Sequence, residues 1–471
     1  MKRLVSLLLL TALALPVMAQ ATQAEDSTPL VLTLEDALKI AMSESIPVQV
    51  ADQEILRTQY AYKGTYASLF PQIDASASYQ RTIKKQVMYM DFDMGAFAGG
   101  AMGGDDTATA QTQSSSRSSS GGGIEVGRWN TFSGGVSAGL PLVNAQLWRS
   151  IKISAQDVEL AVEKARGSRL EMVTQVKRAY YSVLLAKEAL SVYEEVLQNA
   201  IENFKQTEMR YNVDKASELD YNRAKTTVSN AIPNVNEAES SVFLALWQLK
   251  AVIGLDLDRE IDVADALADH AREMLRDIHE NQDYSLEGNS TLRQLEMQAE
   301  ELANTIRLQK DAYLPTLSLS FSYMLNAMTN DFNFSEYRWS PYSFVGLSLS
   351  IPIFSGGKRL NAVRQTQVQH QQLLLQQKNT ERQLNIAIHQ YLNQMETYMK
   401  SYAAAQDAVT TAHKAYDIAA KSYNVGRSTL TDLNDAQLAL TQSQLGESQV
   451  IYNYLVAKAN LEQTLGQDFT E

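Results

Sequence analysis

Two long stretches of the chain lack helix-breaking residues, and they constrain its fold more than any other feature. Residues 144–210 contain no proline and one glycine, Gly167, and residues 358–422 contain neither residue type. Each stretch predicts one continuous helix, roughly 100 Å long at about 1.5 Å per residue. Helices of this length occur in coiled coils and stacked helical arrays rather than in ordinary globular cores. The sequence therefore predicts a mainly α-helical protein.

The chain also repeats itself. The segment "YNVDKASELDYNRA" (211–224) recurs in the second half as "YNVGRSTLTDLNDA" (423–436), with six of fourteen positions identical. Upstream, "PQIDASASY" (71–79) recurs as "PTLSLSFSY" (315–323), with a larger offset along the chain. The excess lies in 84–127, which is rich in glycine and serine and is typical of a flexible loop.

This duplication predicts the domain organisation. We expect a first repeat over 20–254 and a second over 291–471, separated by an acidic insertion at 255–290 that packs as a belt around the helices. Shorter helices are predicted at 48–69 and 217–253. Placed end to end, these two nearly match one long helix, so each repeat can form two antiparallel coiled-coil columns.

Four segments alternate strictly between apolar and polar residues, which predicts β-strands. In one of them Leu317, Leu319 and Phe321 share a face and serines occupy the other. The apolar face covers a core in a soluble sandwich, but it contacts lipid in an outer-membrane barrel. The segments have about the length that spans a bilayer. They lie at 72–80, 132–142, 316–324 and 344–353.

Four strands per chain are too few to close a barrel, because single-chain barrels begin at about eight strands. An open sheet edge in lipid would leave backbone groups unpaired at several kcal/mol each. A chain that spans the membrane must therefore oligomerise. A trimer supplies twelve strands, whereas a dimer supplies eight, whose interior is usually filled by side chains.

The start of the chain predicts a signal peptide at 1–19, with a basic end, an apolar run and small residues before a cleavage site. Its removal takes away Lys2 and Arg3 and changes the formal charge from −13 to −15. An acidic exported chain is a poor nucleic-acid binder. The chain has no cysteine, and therefore no disulfides.

We find no motif of an enzyme. The sequence contains no P-loop, no GxSxG and no HExxH. The histidines at 270, 279, 370, 389 and 413 have no metal-binding spacing. We therefore expect no catalysis, no cofactor and no metal site.

Several motifs in order resemble those of the TolC-like outer-membrane efflux proteins. They are "LTLEDALKIAMSESIPVQ", "LFPQIDASASY", "YLPTLSLSFSY", "SLSIPIFSGGKRLNAVRQ" and "YNVGRSTLTDLNDAQLAL". The resemblance implies long antiparallel coiled-coil helices that form an α-barrel, and four β-strands per chain that form a twelve-stranded membrane β-barrel in a homotrimer. It places the protein in the outer membrane of a Gram-negative bacterium, extending into the periplasm, with 84–127 as an extracellular loop and 255–290 as an equatorial belt.

The resemblance also implies a function. The chain would be a passive exit duct of a tripartite efflux or type I secretion system, opened at its periplasmic end by a periplasmic adaptor and an inner-membrane pump. A non-conducting periplasmic coiled-coil scaffold is the alternative, but a scaffold has no need for four bilayer-length strands. The sequence departs from the family at Asp214, where many relatives have glycine, and at Pro233, where we expect a kink.

The repeated segment carries the candidate site. Gly426 suits a left-handed residue after a long helix, and Asp214 is one of the few other residue types that tolerate that conformation. "SELD" and "TLTD" have capping-box spacing, so helix capping alone can explain Asp220 and Asp432. Asp435 lies too far inside the helix to cap it and shares a face with Asp432.

The resemblance assigns roles to these positions. It implies that Asp220, Tyr423 and Arg427 form links of the closed state, and that acids at this end of the tunnel form a ring. Because Asp432 and Asp435 share a helix face, we hypothesise that they form a gate and selectivity ring; an ordinary solvated acid is the alternative for Asp435. In a trimer this ring would hold six carboxylates, which would raise some pKa values and attract cations. The helix turns would contact the adaptor through Val213, Asp214, Lys215, Val425, Gly426 and Ser428.

Overall fold

A computed structural model describes residues 30–88, 124–276 and 284–467. The predicted signal peptide, His279 and residues 89–123 of the predicted external loop lie outside the described residues.

Eight α-helices dominate the described chain. They are α1 (Leu34–Glu44), α2 (Ile46–Ala67), α3 (Ala145–Tyr211), α4 (Glu218–Ile253), α5 (Leu267–Arg276), α6 (Ser290–Asp311), α7 (Lys358–Asn424) and α8 (Leu430–Leu465). The two long helices predicted from the sequence are confirmed, each with 67 residues. The predicted start and end of α2 were each two residues too late. Helix α4 continues through Pro233 without interruption. None of the described helices is apolar over a length that would cross a membrane.

Corresponding helices of the two halves have equal lengths. α2 and α6 have 22 residues each, and α4 and α8 have 36 each. Both α4 and α8 end at a left-handed glycine, Gly254 and Gly466, which occupy equivalent positions of the two repeats. Matching lengths and matching ends are what a duplicated sequence should produce.

The chain divides into two compact units, and the β-sheet belongs to the unit made of 53–163 and 293–379. Its strands are β2 (Gln72–Arg81), β5 (Asn130–Val143), β7 (Thr316–Thr329) and β8 (Ser340–Ser350), paired antiparallel in the order β2-β5-β7-β8. All four predicted strands are present. The prediction for β8 was wrong at both ends, by four residues at the start and three at the end.

The register of this sheet aligns the apolar positions of all four strands on one face. Ala138 pairs with Ile73 and Phe321, and Phe321 pairs with Val345. Serines occupy the opposite face, where Ser78 and Ser133 share a hydrogen bond of 2.6 Å. The apolar side chains of β8 are solvent-exposed in the single chain, at 71% for Val345. The apolar face is therefore not the core of the chain, as it would be in a soluble sandwich.

A short β-hairpin accompanies the sheet. It consists of β3 (Gln86–Met88) and β4 (Ile124–Val126), which pair antiparallel.

The other unit combines the described parts of 1–52, 164–292 and 380–471. Here β1 (Leu30–Leu32) pairs in parallel with β6 (Ile261–Val263), a two-stranded sheet that the sequence analysis did not anticipate. Strand β6 lies in the acidic insertion, which also supplies α5. Leu267 and Met274 of α5 are buried in one core cluster with Val176 and Tyr180 of α3. The insertion is thus anchored by apolar side chains despite its acidic composition.

Candidate functional site

The candidate site consists of two helix turns, the first turn (212–217, between α3 and α4) and the second turn (425–429, between α7 and α8). Both begin with the same backbone motif. In the first turn the Lys215 amide donates to the Arg210 carbonyl at 2.8 Å and Asp214 is left-handed, with φ of 57°. In the second turn the Arg427 amide donates to the Ser422 carbonyl at 2.8 Å, and Gly426 has φ of 75°. The predicted left-handed positions are confirmed, and each turn closes as a Schellman motif.

Each turn ends at a capped helix, but the two caps differ. The Ser217 hydroxyl accepts from the Asp220 amide at 3.0 Å and donates to its carboxylate at 2.8 Å. At the second turn the Thr429 hydroxyl accepts from the Asp432 amide at 3.1 Å. The Asp432 carboxylate in return accepts from the Thr429 amide at 2.9 Å and from its hydroxyl at 2.7 Å. Only the second turn therefore forms the complete, reciprocal capping box.

This cap perturbs the acidity of Asp432. The hydrogen bond from the Thr429 hydroxyl, followed by that from the Thr429 amide, lowers the pKa of the Asp432 carboxyl below its ordinary value. Hydrogen bonds to the charged form stabilise that form. Asp432 is therefore ionised over an even wider pH range than an ordinary aspartate.

The second turn is tied to α3 through Tyr423. The Tyr423 side chain is only 6% exposed, and its hydroxyl shares a hydrogen bond of 2.6 Å with the hydroxyl of the fully buried Thr207. The Arg210 guanidinium lies over the Tyr423 ring at 5.1 Å and donates to the Tyr423 carbonyl at 2.8 Å. Arg210 also donates to the carbonyl of Asn424. One arginine thus holds the carbonyl end of α7, where carbonyls lack helical partners.

Apolar packing supports the same link. Tyr423 forms a buried cluster with Leu430 and Leu433 of α8 and Ala224 of α4. The two helical hairpins therefore meet around Tyr423 through both packing and hydrogen bonds.

The equivalent residue of the first repeat has a different environment. Tyr211 is 37% exposed and stacks on Tyr221 of its own hairpin, with ring centroids 5.1 Å apart. Its hydroxyl has no hydrogen bond within the described residues. The same residue type at equivalent positions is therefore buried at one turn and accessible at the other.

The structure separates the residues assigned to the closed-state links. Tyr423 contacts Thr207 and Arg210, and no hydrogen bond or ion pair of the described chain joins it to Asp220 or Arg427. Asp220 instead serves its own helix cap. Thr207 and Arg210 were missed by the sequence analysis, because they stand in the uniform interior and last turn of a long helix, with no motif around them.

The two candidate gate acids lie near the start of α8. Asp432 and Asp435 are both exposed, three positions apart on one helix, so that their carboxylates project on the same side. Across 30–88, 124–276 and 284–467, no group of three or more metal-ligating side chains is placed to hold an ion.

The proposed contact residues of the two turns share one open cleft of about 730 Å³. Four of the six line it, Val213, Lys215, Val425 and Gly426. Asp214 and Ser428 do not, and the Ser428 hydroxyl donates to the Ala419 carbonyl at 3.3 Å. The cleft walls also include Gln206, Met209, Arg210 and Asn424.

Comparison with known proteins supplies a family. The model of the family described as "Outer membrane efflux protein" matches residues 105–255 and 283–467. The outer membrane protein TolC of Escherichia coli (strain K12) is 23% identical over 329 residues, which is 68% of this chain and 66%, just under two thirds, of that protein. The alkaline protease secretion protein AprF of Pseudomonas aeruginosa is 23% identical over 326 residues, 68% of this chain and 66% of that protein.

Solved structures share the fold. The crystal structure of CusC has a TM-score of 0.68 at 16% identity and covers 93% of both chains. That of the Campylobacter jejuni CmeC outer membrane channel has a TM-score of 0.67 at 16% identity and covers 92% of this chain and 85% of that one.

Proposed function

Because this chain belongs to the outer membrane efflux protein family, we propose that it is the outer-membrane exit duct of a tripartite efflux or type I secretion system. The protein is TolC-like and resides in the outer membrane of a Gram-negative bacterium, with a periplasmic extension. In our proposal a homotrimer conducts passively and is opened at the two helix turns by a periplasmic adaptor and an inner-membrane pump.

The observation that carries this proposal is the exposed apolar face of the four-stranded sheet. β2 and β8 are its edge strands, and each has one edge without a partner among the described strands. Three copies joined edge to edge would pair these edges, give twelve strands and turn the apolar faces outward to lipid. A non-conducting scaffold would leave side chains such as Val345 and Leu347, both more than half exposed, without a role.

The proposed gate is the second turn. Asp432 and Asp435 of three chains would place six carboxylates around the opening, which favours cations and repels anions. The lowered pKa of Asp432 supports a permanent negative charge there at neutral pH. The cleft between the turns is our candidate for the adaptor contact, because it combines exposed Val213 and Val425 with polar walls.

Conductance in planar bilayers tests the duct. We expect a heat-modifiable trimer in the outer-membrane fraction and cation-selective single-channel currents. A soluble periplasmic monomer would overturn the proposal.

Block by multivalent cations tests the gate separately. Asp432→Asn with Asp435→Asn should abolish the block and reduce cation selectivity. The matched control neutralises two exposed acids at the first turn, Asp214→Asn with Glu218→Gln, and should keep the block. If the gate variant is blocked as strongly as the wild type, the ring is not formed by these residues.

A further inference from the structure

Positive charge is concentrated at one end of the β-sheet, although the whole chain has a formal charge of −13. We call residues 81–88, 124–130 and 330–339 the rim, because they follow or precede the strands at that end. The rim contains five basic residues, Arg81, Lys84, Lys85, Arg128 and Arg338. Its acidic residues are Glu125, Asp331 and Glu336.

One of the rim cations, Arg81, borders the apolar face of the sheet. In β2 the alternation places Arg81 on the same face as Tyr79 and Ile73, one step beyond the tyrosine. The Tyr79 ring stacks on that of Phe132, with centroids 4.8 Å apart. The Lys85 ammonium lies over the Trp129 ring at 4.7 Å. Along β2, an apolar, an aromatic and a cationic side chain, Ile73, Tyr79 and Arg81, thus follow one another on this face.

The aromatic side chains of the rim are accessible. Phe332, Phe334 and Trp339 are exposed, and Trp129 is also exposed beneath Lys85. Phe334 contacts Phe132 at 5.2 Å between ring centroids, so these rings extend the cluster around Tyr79. Tryptophan is enriched at the boundary between hydrocarbon and headgroups, so Trp129 and Trp339 fit that level, and the exposed phenylalanines fit the hydrocarbon beside it.

Within the described chain the positive charges of the rim are only partly balanced, by three acidic residues against five basic ones. None of the five cations forms a salt bridge there. Asp331, the acid nearest to the strand end, accepts a hydrogen bond of 2.6 Å from the Thr329 hydroxyl and one of 3.4 Å from the Asn333 amide. The Thr329 hydroxyl, and to a smaller extent Arg128, lowers the pKa of Asp331. Its carboxylate is therefore partly occupied by local donors, which leaves the rim with a surplus of accessible cations.

We propose that the rim binds the phosphate groups of membrane lipids at the headgroup level of the outer leaflet. The cations supply charge complementarity to phosphate, and the neighbouring aromatic rings and apolar sheet face fit the acyl chains of the same molecule. A free anion or an acidic protein would use the cations but not this apolar border. The inference rests on the proposed membrane position of the sheet.

A lipid-binding titration tests this inference on the detergent-solubilised full-length protein. The probes are a diphosphorylated acylated glucosamine disaccharide and the same lipid after enzymatic removal of its phosphates, with bound lipid counted by native mass spectrometry. We expect the phosphorylated form to bind at least tenfold more tightly, and its affinity to fall as salt rises from 50 to 500 mM, as screening requires. Equal binding of both forms, or no salt dependence, would overturn the proposal without any variant.

Variants then locate the site. Changing the five rim cations to glutamine should weaken binding of the phosphorylated lipid at least tenfold. The matched control, Arg272→Gln, Arg364→Gln, Arg382→Gln, Lys205→Gln and Lys414→Gln, removes the same charge from exposed helix positions and should bind like the wild type. Equal loss in both variants would show a net-charge effect, and no loss in the rim variant would refute the site.

Two further measurements keep the test decisive. If the rim variant fails to assemble, Arg81→Lys, Arg128→Lys and Arg338→Lys retain the charge and should retain binding, whereas Lys84→Gln with Lys85→Gln should weaken it. Loss of lipid binding in the arginine-to-lysine variant, or unchanged binding in Lys84→Gln with Lys85→Gln, counts against the proposal. Single-channel conductance of each variant separates the two ideas, because a conducting trimer without lipid selectivity refutes only the rim.

Discussion

Replacing Tyr423 by phenylalanine should loosen the second turn and leave the rest of the fold intact. The Thr207 hydroxyl already donates to the Asn203 carbonyl at 2.8 Å, so in the 2.6 Å contact the Tyr423 hydroxyl donates and Thr207 accepts. Phenylalanine keeps the ring that packs on Leu430 and under Arg210. The substitution therefore removes one buried hydrogen bond, whose net contribution is about 1 kcal/mol.

This magnitude converts into a gating effect. If the hydrogen bond exists only in the closed state, its loss shifts the closed-to-open equilibrium by the same free energy. About 1 kcal/mol corresponds to roughly a fivefold higher ratio of open to closed channels. Thr207→Val should cost more, about 1–3 kcal/mol, because it leaves the buried Tyr423 hydroxyl without an acceptor. Single-channel recording of the open probability in planar bilayers measures both effects.

A double-mutant cycle supplies the decisive comparison. Once either partner is removed the other substitution should have little further effect, so Tyr423→Phe with Thr207→Val should fall well short of the sum of the single effects. The control is Tyr211→Phe, the same substitution at the equivalent but exposed position of the first repeat, which should leave the open probability unchanged. Additive effects in the cycle, or an equal effect of Tyr211→Phe, would show that the hydroxyl pair does not hold the closed state.

Individual contacts give four further predictions. Gly466→Ala should destabilise the fold by at least about 3 kcal/mol, because a Cβ there would overlap the Gly288 carbonyl and strain a left-handed residue. Gly446→Ala is the control in the same thermal melts. Gly446 lies inside α8 with open space around it, so alanine there should stabilise the fold by about 1 kcal/mol. Glycine adopts φ above zero more freely than any other residue, and both Gly426 and Asp214 have such a φ. Gly426→Ala should therefore increase the rate of proteolysis at the second turn, and Asp214→Gly should decrease it at the first turn. Because the Thr429 hydroxyl lowers the pKa of Asp432 below 3.8, the ionised cap stabilises the fold above that pH, and this stabilisation is lost as pH falls through the lowered pKa. Thr429→Ala should therefore make the free energy of unfolding, followed by circular dichroism, depend less on pH in the acid range. An unchanged pH profile would contradict the prediction. Burial, and to a smaller extent the charge of Glu188, raises the pKa of Glu447 above 4.5. Ionisation of Glu447 therefore destabilises the fold as pH rises through the raised pKa. Glu447→Gln should raise the melting temperature at pH 8 and leave it unchanged at pH 4.

The long-range periodic features of this protein could be predicted from its sequence. Helix ends at α3, α4 and α7 are marked by left-handed or capping residues such as Asp214 and Ser217, whose conformations follow from local sterics and hydrogen bonding. Strand faces follow from the alternation of apolar and polar residues, and the observed register brings the predicted apolar positions of neighbouring strands together.

Features that depend on the neighbouring element could not be predicted in this way. Strands β1 and β6 have three residues each, too few to show alternation, and they exist because they pair with one another across the chain. Helix α5 is buried by Leu267 and Met274 within a segment whose composition is acidic. The partners of Tyr423 belong to the other repeat, on a face of α3 whose direction no local pattern reveals.

The two tyrosines show where the sequence repeat stops being a structural repeat. Tyr211 and Tyr423 stand in identical "YNV" segments and in the same Schellman motif, so every local argument treats them alike. They differ in what lies beside them, because α3 presents Thr207 and Arg210 to Tyr423, whereas Tyr211 stacks on Tyr221 of its own hairpin. The sequence repeat therefore ends at the side-chain contacts that the rest of the chain provides, and Tyr211→Phe is the matched control for Tyr423→Phe because only the contacts differ.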